Sequence, residues 1–244
     1  MKLPLYFISD CHVGMTLNDK EKKRREKLFF IFDKIKKTGG TLIIGGDFFD
    51  FWFDFKNYEP EFYNDIFLQL IDLQKSGIKI HYVAGNHDYW DFGFISSKIE
   101  KFHKQDFNFN VNNQEILLTH GDGLLKSDVG YRFMKKILRH KVFMFLFRKL
   151  SPKLGYKIGQ KVSKTSEEYN HFNDYADDIK KEILEYARKE WSKGKDVVLV
   201  GHYHQKEIIE EDSKFLIFLG DWLQHYSVTK FDGNNWAQFT WNEL

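Results

Sequence analysis

The chain has 244 residues, of which 42% are hydrophobic and 30% charged, with a formal net charge of +2. That length accommodates one domain with an insertion, so residues 1–244 are expected to form a single domain, and the balance excludes a disordered chain. The lone cysteine, Cys11, excludes an intrachain disulfide and suits a reducing compartment. The start MKLPLYFISD turns acidic too soon for a signal peptide, and no window approaches the ~20 apolar residues of a membrane-spanning helix, so the expected location is the cytoplasm.

LYFIS (5–9) and TLIIG (41–45) read as buried strands, with helical spacing of Lys, Glu, Phe and Ile over 19–37 between them. Residues 60–75 repeat the helical pattern before a third strand, IKIHYVAG (78–85), so the chain begins βαβαβ. NFNVNNQEILLTH (108–120) predicts a hairpin turning at Asn112-Asn113. Residues 129–192 read as helical, interrupted at Ser151-Pro152, where the proline disfavours a helical residue before it. VVLVG (197–201) is a fourth buried strand, and 205–241 predict four short strands with turns near Asp212-Ser213 and Asp232-Gly233. The expected fold is a mixed α/β sandwich with a helical insertion after residue 120.

Charge is distributed unevenly. No acidic residue lies between Asp128 and Glu167, while Arg132, Lys135, Lys136, Arg139, Lys141, Arg148, Lys149, Lys153, Lys157, Lys161 and Lys164 make the segment a local positive field. Within it Val142 to Phe147 is a greasy, aromatic run. A basic aromatic helix suits an anionic membrane surface, with cations on lipid phosphates and rings in the headgroup boundary. The simpler alternative is a small helical subdomain with a solvated basic face. Nucleic acid is not expected, because the segment carries no recognisable reading motif.

Five polar clusters stand where predicted strands end: SDCH (9–12), GGDFFD (45–50), GNHD (85–88), THGD (119–122) and GHYH (201–204). Their Asp, Asn and His side chains form a nitrogen and oxygen donor set suited to Mn, Fe or Zn, with no thiolate to favour softer ions. Asp10 and His12 flank one residue, as do His202 and His204, so in an extended strand end each pair points one way. With Asp47, Asn86 and His120 they supply enough ligands for two ions if one carboxylate bridges. Such a pair clamps a phosphoryl group, which makes metal-assisted phosphoester hydrolysis the expected reaction. Taken singly, Asp47 and Asn86 are ordinary turn formers, and His103, His140 and His171 read as packed or surface histidines. Asp50, Asp54, Asp88 and Asp122 are candidates either for orienting ligand histidines or for capping loops.

The ordered set resembles the calcineurin-like metallophosphoesterases, whose pattern is D-x-H, G-D, G-N-H-[DE], H and G-H-x-H; every block occurs here in order across residues 10–204. The resemblance implies a four-layer α-β-β-α sandwich. It further implies one ion held by Asp10, His12, Asp47 and His204, and a second by Asp47, Asn86, His120 and His202, with Asp47 bridging. His87 would stabilise charge on the phosphate or protonate the leaving oxygen.

Within that family the chain is similar to the UDP-2,3-diacylglucosamine pyrophosphatases of lipid A biosynthesis. The shared features are length, the aromatic run FFDFWFDF (48–55), THGD followed by a basic helical insert, and LGDW (219–222). The likeness implies Mn²⁺ as cofactor, peripheral association with the cytoplasmic face of the inner membrane, release of UMP and a diacylglucosamine 1-phosphate, and residues 123–170 as a cap over the acyl chains. The implied substrate contacts are Asn86, His87, Asp128, Ser166, Asn170, Asn173 and His202. The best-known branch carries Arg at the position of His87 and Lys at that of Asn173. Two other readings remain: a phosphoesterase for soluble nucleotides or phosphodiesters, and a non-catalytic membrane- or protein-binding scaffold.

Overall fold

The predicted strands are runs of Ile, Val, Leu and Phe too short for stable isolated helices, and each finds a partner in one of two sheets. The computed structural model describes residues 1–169 and 175–244, with only the backbone of 164–169 considered. Its strands are β1 (Leu5–Ile8), β2 (Thr41–Ile44), β3 (Lys79–Val83), β4 (Lys101–His103), β5 (Phe107–Val111), β6 (Gln114–Thr119), β7 (Val197–Val200), β8 (Lys206–Glu211), β9 (Lys214–Leu219), β10 (Ser227–Phe231) and β11 (Trp236–Thr240). One sheet has the order β11-β10-β1-β2-β3-β4 and the other β5-β6-β7-β9-β8. β1, β2 and β3 run parallel, in a register that sets Leu5 opposite Thr41 and Thr41 opposite Lys79. Their connections are therefore crossovers, made by α1 (Asp19–Thr38) and α2 (Asn64–Lys75).

Local chemistry explains where these elements begin and end. The Asn18 side chain accepts from the Glu21 amide at 2.9 Å, capping α1, and the Gly39 amide closes its other end on the Ile35 carbonyl. Residues 60–63, expected within the second helix, form a 3₁₀ turn at Glu61–Tyr63 instead, because Pro60 starts that turn and cannot continue a helix from before it. Asn112-Asn113 and Asp212-Ser213 both adopt positive φ at two successive residues, the backbone that two-residue hairpins demand. Strand β4, which has no signal in the sequence, pairs parallel with β3.

Three clusters of buried side chains divide the body into layers. Leu28, Ile31, Phe32 and Ile35 of α1 and Ile66 and Leu70 of α2 pack on one face of the first sheet. Phe7, Ile43, Ile116, Leu199 and Ile217 lie between the sheets. Ile179, Ile183, Ala187 and Trp191 of α6 (Ala176–Ser192) cover the outer face of the second sheet. The order is thus α-β-β-α, the expected four layers.

Between β6 and α6 lie α3 (Val129–Leu138), α4 (Lys141–Phe147) and α5 (Pro152–Tyr169). Pro152 opens α5 at a position where its missing N–H costs nothing. The aromatic run 48–55 joins these helices to the body: Phe48, Phe49 and Trp52 enter the first core, while Phe51, Phe53 and Phe55 turn toward the helices. Only glycine fits where α5 crosses that run, since a Cβ at Gly155 would lie 2.1 Å from the Phe55 ring and one at Gly159 2.3 Å from Phe51. In α4, Met144 and Phe147 pack inward, Phe147 lying 4.7 Å from the Phe53 ring. Val142, Phe145 and Leu146 face outward and are 57%, 61% and 60% exposed.

Candidate metal centre

Past the ends of β1 and β2 the two chains stay paired: the Asp10 and His12 amides donate to the Gly46 and Asp47 carbonyls, both at 3.0 Å. The residues between strand end and helix are thus held as firmly as the sheet. They are not extended, however. Asp10, His12, Asp47, His202 and His204 all have positive φ, between 42° and 64°. This corrects the simple alternation picture: the side chains converge because each sits in the left-handed region, which costs a non-glycine residue free energy and is tolerated where neighbours over-determine it. Gly85 permits the approach of the third loop, since a Cβ there would lie 2.0 Å from Asp47 Oδ1.

The result is a single buried cluster. Asp10, His12 and His204 bring one donor atom each within 4.8 Å of one another, and so do His12, Asp47 and His87, and Asp47, His120 and His202. Asp47 stands at the centre, its Oδ2 lying 3.9 Å from His12 Nε2, 4.0 Å from His87 Nε2 and 3.2 Å from His120 Nε2. Asn86 Oδ1 is 3.1 Å from His120 Nε2, and His204 Nε2 is 3.4 Å from Asp10 Oδ1. All seven candidate ligands, and His87 beside them, therefore meet in one place. Asp128 lines the adjoining cavity. The expected contacts Asn170 and Asn173, and the Ser166 side chain, lie outside the described residues, as does His171.

The donor set fits divalent cations. Both ring nitrogens of His12 are buried without a hydrogen-bond partner, a costly arrangement that ligation would relieve. Burial, reinforced by His87, drives His12 down to about 3. Burial with His120 alongside drives His202 down to about 4, so both imidazoles are neutral, the form a ligand requires. Burial opposes charge on His120 as well, but the Asp47 carboxylate overrides it and raises His120 to about 10. The Gly45 carbonyl is 2.9 Å from His120 Nδ1, which directs Nε2 toward the cluster, and the Asp50 carbonyl does the same for His87, 2.6 Å from its Nδ1.

The nearby carboxylates brace loops and helices. Asp88, raised to about 6 by burial and by the charge of Asp47, accepts from the Phe48 and Gly85 amides, both at 2.7 Å. Asp54 accepts from the Phe92 and Phe94 amides. Asp50 accepts from Ser163 of α5. Asp122 accepts from Tyr131 at 2.6 Å and pairs with Lys135 at 2.7 Å and Arg139 at 3.3 Å, tying α3 to the THGD loop. Sequence reasoning missed these α3 residues. Their only signal was an acidic residue beside a candidate ligand, followed by a basic helix.

Outside the centre, His103 packs on Phe107, with ring centroids 3.9 Å apart, and His140 accepts from the Val142 amide at the start of α4. The Cys11 thiol is fully buried, and burial raises it well above its ordinary range, so it is inert.

Comparison with known proteins identifies a family and several relatives. A family model described as calcineurin-like phosphoesterase matches residues 3–206. A UDP-2,3-diacylglucosamine hydrolase of Porphyromonas gingivalis is 24% identical over 96% of this chain and 95% of that protein. One of the same name from Haemophilus influenzae is 28% identical over 93% and 94%. Among solved structures, a novel archaeal phosphodiesterase aligns over 97% of this chain and 99% of that one, with 15% identity and a TM-score of 0.48.

Proposed function

The chain belongs to the calcineurin-like phosphoesterase family and is a metal-dependent hydrolase, and on that premise we propose that it cleaves the pyrophosphate of UDP-2,3-diacylglucosamine to UMP and 2,3-diacylglucosamine 1-phosphate. One observation carries the reading. A cavity of about 280 Å³ is lined by Asn86, His87 and His202 of the metal centre and, beneath α3 and α5, by Phe51, Trp90, Met134, Leu138 and Val162, with Lys135 and Arg139 among them. A phosphate at the metal residues and an acyl-bearing sugar against the apolar side chains match that lining. Residues 123–170 would then be the cap on the acyl chains, and Asp128, on the cavity wall, a contact for the sugar. The names of the curated relatives point to the same substrate.

Asp10, His12, Asp47 and His204 would hold one ion, and Asp47, Asn86, His120 and His202 the other, with Mn²⁺ the first choice for these donors and Fe or Zn the alternatives. Bound there, divalent ions supply Lewis acidity and a more acidic water. The chain's own work is positional. Asp47 is 1% exposed and holds the charge to which both sets of donors converge. His87 keeps Nδ1 toward the Asp50 carbonyl, so a proton on Nε2 is presented to the cleft; burial opposes that proton, but Asp47 and the Asp50 carbonyl outweigh it and raise His87 above its ordinary value. His87 would thereby donate to the phosphate oxygen that leaves.

Among the described residues no helix is long and apolar enough to cross a membrane. Exposed Val129, Phe133, Ile137, Val142, Phe145 and Leu146 lie on α3 and α4 beside Lys136, Lys141 and Lys149. This face would rest on the anionic cytoplasmic surface of the inner membrane, where its substrate resides.

UMP release from UDP-2,3-diacylglucosamine by the Mn²⁺-loaded protein tests the reading. Turnover no faster than that of Asp47→Ala would reject the substrate, and rapid hydrolysis of soluble nucleotide esters without lipid would favour a soluble phosphodiester instead. His87→Ala is expected to lower kcat by roughly 10²–10⁴ while metal content stays unchanged.

A further inference from the structure

Two clefts meet at the metal residues. Asn86, His87 and His202 line both, but only one of the clefts runs beneath the helices. The other, about 260 Å³, passes His12, Asp47 and His204 and opens between α1 and the turn after β9, where Lys20, Arg24, Leu223 and Gln224 form its walls. On the reading above, the bond cleaved is a pyrophosphate with two chemically different halves. If the acylated sugar occupies the first cleft, the second half must extend from the shared residues along this second one.

The walls are built and rigid. Arg24 is 8% exposed; its Nη1 donates to the His12 carbonyl at 2.5 Å and lies 3.2 Å from Glu21, while its buried Nε has no hydrogen-bond partner. An arginine so placed lines the cleft beside the metal residues and holds a fixed positive charge there. Lys20, one turn earlier on the same helix, is exposed at the cleft mouth. Across from them, Asp221 accepts from the Leu223 and Gln224 amides, both at 2.6 Å, and from that of His225 at 3.3 Å. The Trp222 amide donates to the Asp10 carbonyl at 3.1 Å, so the turn is fastened to the loop that carries two candidate ligands. Its backbone is thus committed, and Leu223 and Gln224 are left to present an apolar edge and an amide to the cleft.

We infer that this second cleft binds the nucleoside monophosphate half of the substrate, with Lys20 and Arg24 balancing the phosphate charge and the Leu223–Gln224 turn abutting the nucleoside. Two cations opposite an amide suit a phosphorylated nucleoside, and no acyl chain would be stabilised there.

Lys20→Glu and Gln224→Ala are the informative variants, because both side chains are exposed and neither is needed to fold. UMP binding to the Mn²⁺-loaded full-length protein is measured by calorimetry, together with inhibition by UMP and by 2,3-diacylglucosamine 1-phosphate. Lys20→Glu is expected to weaken UMP about tenfold and to raise KM similarly, with kcat within about twofold and inhibition by the acylated sugar phosphate unchanged. Gln224→Ala should weaken UMP by a smaller factor. Unaltered UMP binding in both variants overturns the inference. Cleavage of the lipid substrate is scored separately. UMP binding that is lost in the variants of a protein that fails to cleave UDP-2,3-diacylglucosamine supports this cleft and rejects only the substrate proposed above.

Discussion

Replacing Phe145 and Leu146 together by Ser should detach the protein from anionic vesicles while leaving its fold intact. The two side chains are 61% and 60% exposed on α4. Full burial of such a side chain contributes about 1.5–3 kcal/mol, so the unburied three-fifths of the pair offers about 2–3.5 kcal/mol. A headgroup boundary is never dry; halving that figure leaves about 1–2 kcal/mol, or a roughly 5- to 30-fold loss of vesicle affinity. Co-sedimentation with vesicles of phosphatidylglycerol and phosphatidylethanolamine measures it, and thermal unfolding supplies the control, since exposed substitutions of this kind shift stability by only about 0.5 kcal/mol. Phe147→Ser should do the reverse. Its ring packs, partly buried, on Phe53 and Phe55, so its loss costs about 1–3 kcal/mol of stability. Sedimentation of the double variant equal to wild type would refute membrane docking by this face.

Chelation should lower the melting temperature, because ions at about a hundred times their Kd stabilise by about 2.7 kcal/mol; Asp47→Ala, which removes the central carboxylate, should show the same melting temperature with and without Mn²⁺. Gly159→Leu forces a side chain into the Phe51 ring, 2.3 Å from an added Cβ, and is expected to cost about 1–3 kcal/mol and several degrees of melting temperature. His103 is lowered to about 4, by burial first and by His81 second. The unfolded chain therefore binds a proton near its ordinary value of about 6.5 and the folded chain does not, so this contribution is complete above that pH and is lost as pH falls toward about 4. Urea midpoints measured across that window should decline less steeply in His103→Phe, which keeps the stacking on Phe107 and removes the titration; parallel curves would contradict this.

The alternation of Ile, Val and Leu runs with helical spacing made the βαβαβ start legible, and paired positive-φ residues such as Asn112-Asn113 marked the hairpins, because both are properties of a few neighbouring residues. The candidate ligands were legible for a related reason: which atoms can bind a divalent ion is decided by residue type alone. Their approach was not. Asp10 and His12 converge through left-handed backbone that the Gly46 and Asp47 carbonyls help to hold, and those partners come from a different strand. Periodicity likewise could not orient Val142 to Phe147, since residues apolar on every side have no preferred face.

By itself, then, the sequence determined the element types, the donor set at the strand ends and the concentration of positive charge on one helical segment, all of which follow from local composition. Only the tertiary structure decided that Met144 and Phe147 pack inward while Phe145 and Leu146 face out, that Asp122 and Asp88 brace loops, and that two clefts of opposite character share Asn86, His87 and His202. Each of these depends on contacts between residues far apart in the chain, and long-range packing is what selects among the faces and rotamers that local preferences leave open.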